Sequence, residues 1–187
     1  VKAGLMLARI LERQGLNAME ITYRSACAPE AIDAVKKEFP DMLILAGTIV
    51  TPQQVRTAAD AGAEAMISPG CEAQMIEACQ RVDIPVIPGV CTPSEIQTAM
   101  GFGLTRLKLF PAELSGGVSL IKTLLSVYRN ISLMPTGGIT SDNLMSYLAI
   151  ERVFCCGGTW LAPESLIIKE EWQAIENRIK TAVKLIS

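Results

Sequence analysis

The chain has 187 residues, a formal net charge of −2 and 50% hydrophobic residues; this is enough for one domain with a substantial core, and it leaves no basic stripe for nucleic acid. Its apolar runs stay short of the roughly 18 residues of a membrane span. It contains no histidine, which excludes Ser-His-Asp and Cys-His nucleophile systems and any histidine-ligated metal. The six cysteines, at 27, 71, 79, 91, 155 and 156, form no CxxC pair. With no signal-peptide pattern in the first residues, they read as reduced thiols of a cytoplasmic protein. Cys155 and Cys156 are adjacent on an expected strand and cannot both face one site.

The chain opens with an expected helix over 2–14, where Leu5, Ala8 and Leu11 follow helical spacing and Gly15 ends the run. A strand follows at 18–23, then a helix at 29–39 with proline at its start. Next come strand 43–46, helix 51–61 behind Thr-Pro, strand 65–68, helix 72–80 and strand 85–88. Helix 93–100, again behind Thr-Pro, leads to the strand of RLKLFPAE (106–113). Helix 118–128, strand 132–134, helix 142–149, strand 153–156 and a last helix over 171–185 complete the pattern.

The strands begin near 19, 43, 65, 85, 106, 131 and 153, a period of about 22 residues. Apolar strands alternating with helices imply a parallel sheet covered on both faces. The constant period favours a (β/α)8 TIM-type barrel over a doubly wound sheet, and no GxGxxG follows the first strand. Seven strands are one short of that barrel. The expectation is a single domain over 1–187 that lacks its first strand; the alternative is an open sheet.

In such barrels the chemistry lies at the C-terminal ends of the strands. These ends read EITYR (20–24), AGT (46–48), SPG (68–70), PGV (88–90), KLFPAE (108–113), PTGG (135–138) and CGGTW (156–160). Strand alternation puts Leu107 and Leu109 on one face and Arg106, Lys108 and Phe110 on the other. Lys108 is thus either a solvated edge lysine or a desolvated amine able to attack a carbonyl and form a Schiff base. Glu20, Thr22 and Arg24 share a face by the same rule. They are either a structural ion-pair set or a working one, with Glu20 shuttling protons and Arg24 pairing with a substrate carboxylate. The Gly137–Gly138 and Gly157–Gly158 pairs fall where barrels recurrently bind phosphate, with following helix N-termini to assist, although tight turns alone would also use glycine. A lysine, an acid, an arginine and a phosphate cradle with no metal describe a site for a phosphorylated keto acid.

EITYR, AGT, ISPG (67–70), IPGV (87–90), KLFPAE, PTGGI and GGTW, in this order over nearly the whole chain, closely resemble the 2-keto-3-deoxy-6-phosphogluconate (KDPG) / 4-hydroxy-2-oxoglutarate (KHG) aldolase family. The resemblance implies a metal-independent class I aldolase that needs no cofactor, cleaves KDPG to pyruvate and glyceraldehyde 3-phosphate, and works as a cytoplasmic homotrimer in the Entner–Doudoroff route. It also implies activity on KHG. It makes Lys108 the Schiff-base lysine and Glu20 the general acid/base. Arg24 and Thr48 would hold the pyruvate carboxylate, with Thr136 nearby, Phe110 against the bound pyruvate, and Pro69 and Gly70 lining the pocket. Gly137, Gly138, Gly157, Gly158 and Thr159 would cradle the phosphate; family members often carry serine at the Thr159 position. The other readings are a 6-phosphogalactonate aldolase of the same family, a metal-free phosphosugar isomerase or synthase, and a non-catalytic phosphometabolite-binding barrel. Neither nucleic acid nor membrane is called for as a partner.

Overall fold

A computed structural model of the chain describes residues 1–186. Helices and strands alternate from the first element on: α1 (Lys2–Arg13), β1 (Ala18–Thr22), α2 (Ala28–Glu38), β2 (Leu43–Gly47), α3 (Pro52–Asp60), β3 (Ala65–Ile67), α4 (Ala73–Arg81), β4 (Val86–Ile87) and β5 (Gly89–Val90). They continue with α5 (Pro93–Gly101), β6 (Arg106–Leu109), α6 (Gly117–Val127), β7 (Ser132–Pro135), α7 (Leu144–Leu148), a 3-10 turn (Thr159–Leu161), α8 (Glu164–Ile168) and α9 (Trp172–Ile186). Every strand pairing is parallel, and the strands follow chain order: β1-β2-β3-β4 in one sheet and β5-β6-β7 in the other.

Local chemistry sets the helix boundaries. Gly15 takes φ +76, and the Leu16 N–H returns to the Leu11 carbonyl at 3.0 Å, which ends α1 where glycine predicts it. Both Thr-Pro starts are capping boxes. Thr51 and Gln54 cap α3, and Thr92 and Glu95 cap α5, with proline in the first turn of each.

The structure corrects the expected strand list at two places. The strand expected over 85–88 is divided at Pro88: β4 pairs with β3, whereas β5 pairs with β6. The Pro88 carbonyl accepts from the Lys108 N–H at 2.9 Å, so the two sheets meet at this residue. Proline has no N–H with which to continue the ladder on its other side. The strand expected over 153–156 is reduced to two isolated bridges, Leu133↔Val153 and Thr136↔Gly157. Pro135 cannot donate to it, and the next bond, from the Gly157 N–H to the Pro135 carbonyl at 3.0 Å, skips over Cys155 and Cys156. The helix expected over 142–149 begins only at Leu144. The Asn143 side chain accepts from the Thr140 N–H at 2.8 Å and donates to the Gly138 carbonyl at 3.0 Å, closing a turn ahead of it.

Two cores lie between the strands and their helices. Ile44, Ala46 and Met66 anchor one, beneath α2 to α4; Leu107, Leu109 and Leu133 anchor the other, together with a wholly buried Tyr147. A third cluster joins the ends of the chain, with Ile10 of α1 against Ile175 and Ile179 of α9. Burying each Leu, Ile or Met among them contributes roughly 1.5–3 kcal/mol. The alternation that gives Leu107 and Leu109 to a helix-facing core sends Lys108 to the opposite face, where the site is built.

Candidate active site

Lys108 leaves β6 between two fully buried leucines and is itself only 7% exposed. Its Nζ lies 3.9 Å from Glu20 Oε1. Glu20 comes from β1 in the other sheet, with β2, β3, β4 and β5 in between along the strand order. Burial pushes the Lys108 pKa below the ordinary lysine value. The Glu20 charge opposes that shift and the Arg24 charge adds to it. This is the desolvated amine of the two alternatives the sequence allowed. The Phe110 ring centroid lies 5.2 Å from Nζ, and the ring is partly open to solvent.

Glu20 reaches this position because Gly47, opposite Thr22 in the register, has no side chain. A Cβ there would overlap Glu20 Oε1 and sit 2.6 Å from its Cδ. Arg24 does not share the strand face with Glu20 and Thr22 as alternation predicts. β1 ends at Thr22, and Arg24 stands exposed in the turn that follows, though close enough to act on Lys108 electrostatically. Thr48 follows β2 with φ +59, a left-handed conformation that is strained for a β-branched residue and characteristic of functional loops. Thr136 is 7% exposed, and among the described residues its Oγ1 is the buried side-chain oxygen without a hydrogen-bond partner.

Pro69 stands in a turn closed by the Ser68 hydroxyl, which donates to the Gly70 carbonyl at 2.7 Å. Gly89 lies directly beneath that turn: an added Cβ would strike the Pro69 carbonyl and come 2.9 Å from the Gly70 nitrogen. Gly137 and Gly138 take φ +88 and +86, so the first glycine pair forms a left-handed turn at the end of β7. Gly157 lies against Thr136, where a Cβ would be 2.6 Å from Cγ2. Gly158 leads into the 3-10 turn that begins at the exposed Thr159. The helix expected behind the first glycine pair is shorter than the sequence implies, five residues in α7, and directly behind the second pair stands only a three-residue 3-10 turn.

Sequence reasoning missed three contributors, Gly47, Gly89 and Cys155. The first two carry a signal only in retrospect, as the central glycines of AGT and PGV. Burial, followed by the Glu20 charge, raises the Cys155 thiol to about 11. It is therefore a neutral neighbour of the site at physiological pH rather than a nucleophile. Cys156 packs against the second core. Among the described residues, no group of three Asp, Glu, Cys or His side chains is placed to hold a metal ion. The surface cavities of about 220 Å³ at Ser141, Trp160 and Arg178 and about 320 Å³ at Lys122, Glu151 and Arg152 lie away from Lys108.

A parallel α/β fold that buries one lysine beside a carboxylate, with glycine turns on its last strand ends, defines a lysine-centred carbonyl enzyme. Comparison with known proteins makes the class specific. The profile of the KDPG and KHG aldolase family matches residues 2–178. The 2-dehydro-3-deoxy-phosphogluconate aldolase of Haemophilus influenzae is 40% identical over 97% of this chain and 86% of its own length. The KHG/KDPG aldolase of Escherichia coli K12 is 37% identical over 95% of this chain and 84% of its own. The crystal structure of the KDPG aldolase of Legionella pneumophila, with pyruvate captured as a covalent carbinolamine intermediate, superposes with a TM-score of 0.93 at 37% identity, covering 97% of this chain and 88% of that one. The chain belongs to the KDPG and KHG aldolase family.

Proposed function

We propose that this chain is a class I aldolase that cleaves KDPG to pyruvate and glyceraldehyde 3-phosphate, and KHG to pyruvate and glyoxylate, through a Schiff base on Lys108. The observation that carries it is the buried Lys108 amine with the Glu20 carboxylate 3.9 Å away. The neutral amine attacks the C2 carbonyl carbon and forms a carbinolamine, which loses water to give an iminium ion. Glu20 accepts the C4 hydroxyl proton, the C3–C4 bond breaks, and its electron pair flows into the iminium. Glyceraldehyde 3-phosphate leaves. Glu20 returns a proton to C3 of the enamine, and water releases pyruvate and the free lysine.

Arg24 and Thr48 hold the keto-acid carboxylate in this scheme, and the Thr136 hydroxyl gains there the partner it lacks. Phe110 packs on the pyruvyl methyl end, and Pro69 lines the pocket floor. The Gly137–Gly138 turn, the Gly157–Gly158 pair and Thr159 receive the phosphate. We take residues 1–187 as one domain with a (β/α)8-type wall. Lys108 and Glu20 come from different sheets yet face one another, which supports that reading. A cytoplasmic homotrimer is part of the same proposal; sedimentation equilibrium tests the trimer.

The test is reduction with borohydride in the presence of pyruvate, followed by peptide mass mapping. A pyruvyl adduct on Lys108 that is lost in Lys108→Ala is the expected result. A folded protein with no adduct, or an adduct that survives Lys108→Ala, overturns the proposal.

A further inference from the structure

Glu113 closes the RLKLFPAE stretch, and the Schiff-base chemistry leaves it without a role. Its Oε1 accepts the hydrogen bond of the Tyr147 hydroxyl. Tyr147 is fully buried in the second core, and a buried phenol needs a partner for its O–H. Here the partner is a carboxylate on an exposed loop. The pair packs against the start of α6, where a Cβ on Gly117 would lie 3.2 Å from Tyr147 Oη and 3.3 Å from Glu113 Oε1.

The stem of Glu113 meets the first glycine turn. A Cβ on Gly138 would be 2.5 Å from Glu113 Cβ and 2.6 Å from its Cγ. On the other side of the turn, a Cβ on Gly137 would be 3.2 Å from the Phe110 ring. The backbone is tied as well: the Ala112 N–H donates to the Thr136 carbonyl at 2.8 Å and the Glu113 N–H to the Gly137 carbonyl at 3.1 Å. The loop that follows Lys108 therefore grips the turn from both sides. A free carboxylate beside a phosphate would repel it, and the Tyr147 phenol holds this one in place.

We propose that Glu113 and Tyr147 form a positioning pair, in which the phenol clamps Glu113 so that its stem and backbone fix the Gly137–Gly138 turn, and the substrate phosphate with it, at a set distance from Lys108. The pair rests on the reading of that turn as the phosphate cradle. It selects for phosphorylated aldehydes and takes no part in Schiff-base formation.

The test runs the reaction in the condensation direction, with pyruvate and either glyceraldehyde 3-phosphate or glyceraldehyde. Tyr147→Phe and Glu113→Ala are expected to raise KM for glyceraldehyde 3-phosphate about tenfold or more, because small displacements of a bound group are costly. Glyceraldehyde kinetics and pyruvate–borohydride labelling of Lys108 should stay within about twofold of the wild type. Glu113→Gln keeps an oxygen acceptor for the phenol and should restore near-wild-type KM; the double variant should be no worse than either single one. Should Glu113→Ala fail to fold, Tyr147→Phe, which removes one oxygen atom, carries the test alone. Equal losses on both aldehydes, or no loss on either, overturn the pair. A wild type that is not labelled by pyruvate overturns the Schiff-base reading and the pair's purpose with it. Labelling in all variants with no selective change overturns the pair alone.

Discussion

Lys108 Nζ and Glu20 Oε1 face each other at 3.9 Å from strands of two different sheets. The separation is too long for a tight ion pair and short enough for one intervening proton carrier. It suits a carboxylate that serves the substrate on the lysine rather than one that permanently neutralises the lysine. Glu20→Gln is therefore expected to slow exchange of the pyruvate methyl protons by about a hundredfold or more. Pyruvate affinity, read from the concentration dependence of borohydride trapping, should change only a few-fold. Equal loss of exchange and binding would remove Glu20 from the acid/base role.

The pH dependence of trapping has a defined sign. Only the neutral amine attacks, so the adduct rate rises with pH through the folded-state pKa of Lys108, which burial places below the ordinary lysine value. Glu20 raises that pKa and Arg24 lowers it. Glu20→Gln should move the midpoint to lower pH, and Arg24→Leu should move it to higher pH. Trapping rates across the alkaline range check this; shifts in the same direction in both variants would contradict it.

The same shift bears on stability. A lysine whose folded pKa is depressed binds its proton more weakly in the native state than in the unfolded chain. The resulting penalty is absent above the unfolded pKa. It grows as pH falls from there toward the folded pKa, and is complete below it. Lys108→Met, which fills the same space without a charge, should therefore raise Tm at neutral pH by about 2 °C or more while abolishing trapping. Calorimetry at neutral pH and again above the unfolded pKa should show the gain shrinking as pH rises.

Much of this is legible in the sequence. Apolar strand runs alternating with helices point to the parallel architecture, and Thr-Pro marks two helix starts, which fold as capping boxes completed by Gln54 and Glu95. Lys108 between Leu107 and Leu109 announced a lysine turned away from the core. The missed features are those that depend on who stands opposite. Nothing local to Pro88 says that β4 and β5 belong to different sheets, or that Pro135 costs the 153–156 segment its ladder. Period 2 placed Arg24 with Glu20, but β1 stops short of it. Gly47 and Gly89 read as ordinary turn glycines until Glu20 and Pro69 are seen pressed against them. Glu113 and Tyr147 are 34 residues apart, a separation that no motif spans.

Those two glycines give opposite expectations for the same substitution. In Gly47→Ala the new methyl overlaps the carboxylate end of Glu20, a flexible side chain that can swing aside. Stability should fall by no more than about 1 kcal/mol, whereas the displaced carboxylate should cost about a hundredfold in turnover. In Gly89→Ala the methyl meets the backbone of Pro69 and Gly70, which belongs to a closed turn and cannot rotate away. That overlap must be relieved by moving β5 or the turn, at a cost of about 3 kcal/mol or more. Urea unfolding and pyruvate–borohydride trapping on both variants separate the cases: Gly47→Ala should remain folded and still be labelled at Lys108 while turning over slowly, and Gly89→Ala should lose its unfolding midpoint first. A stable Gly89→Ala protein, or a fully active Gly47→Ala enzyme, would show that these close approaches do not hold the site in place.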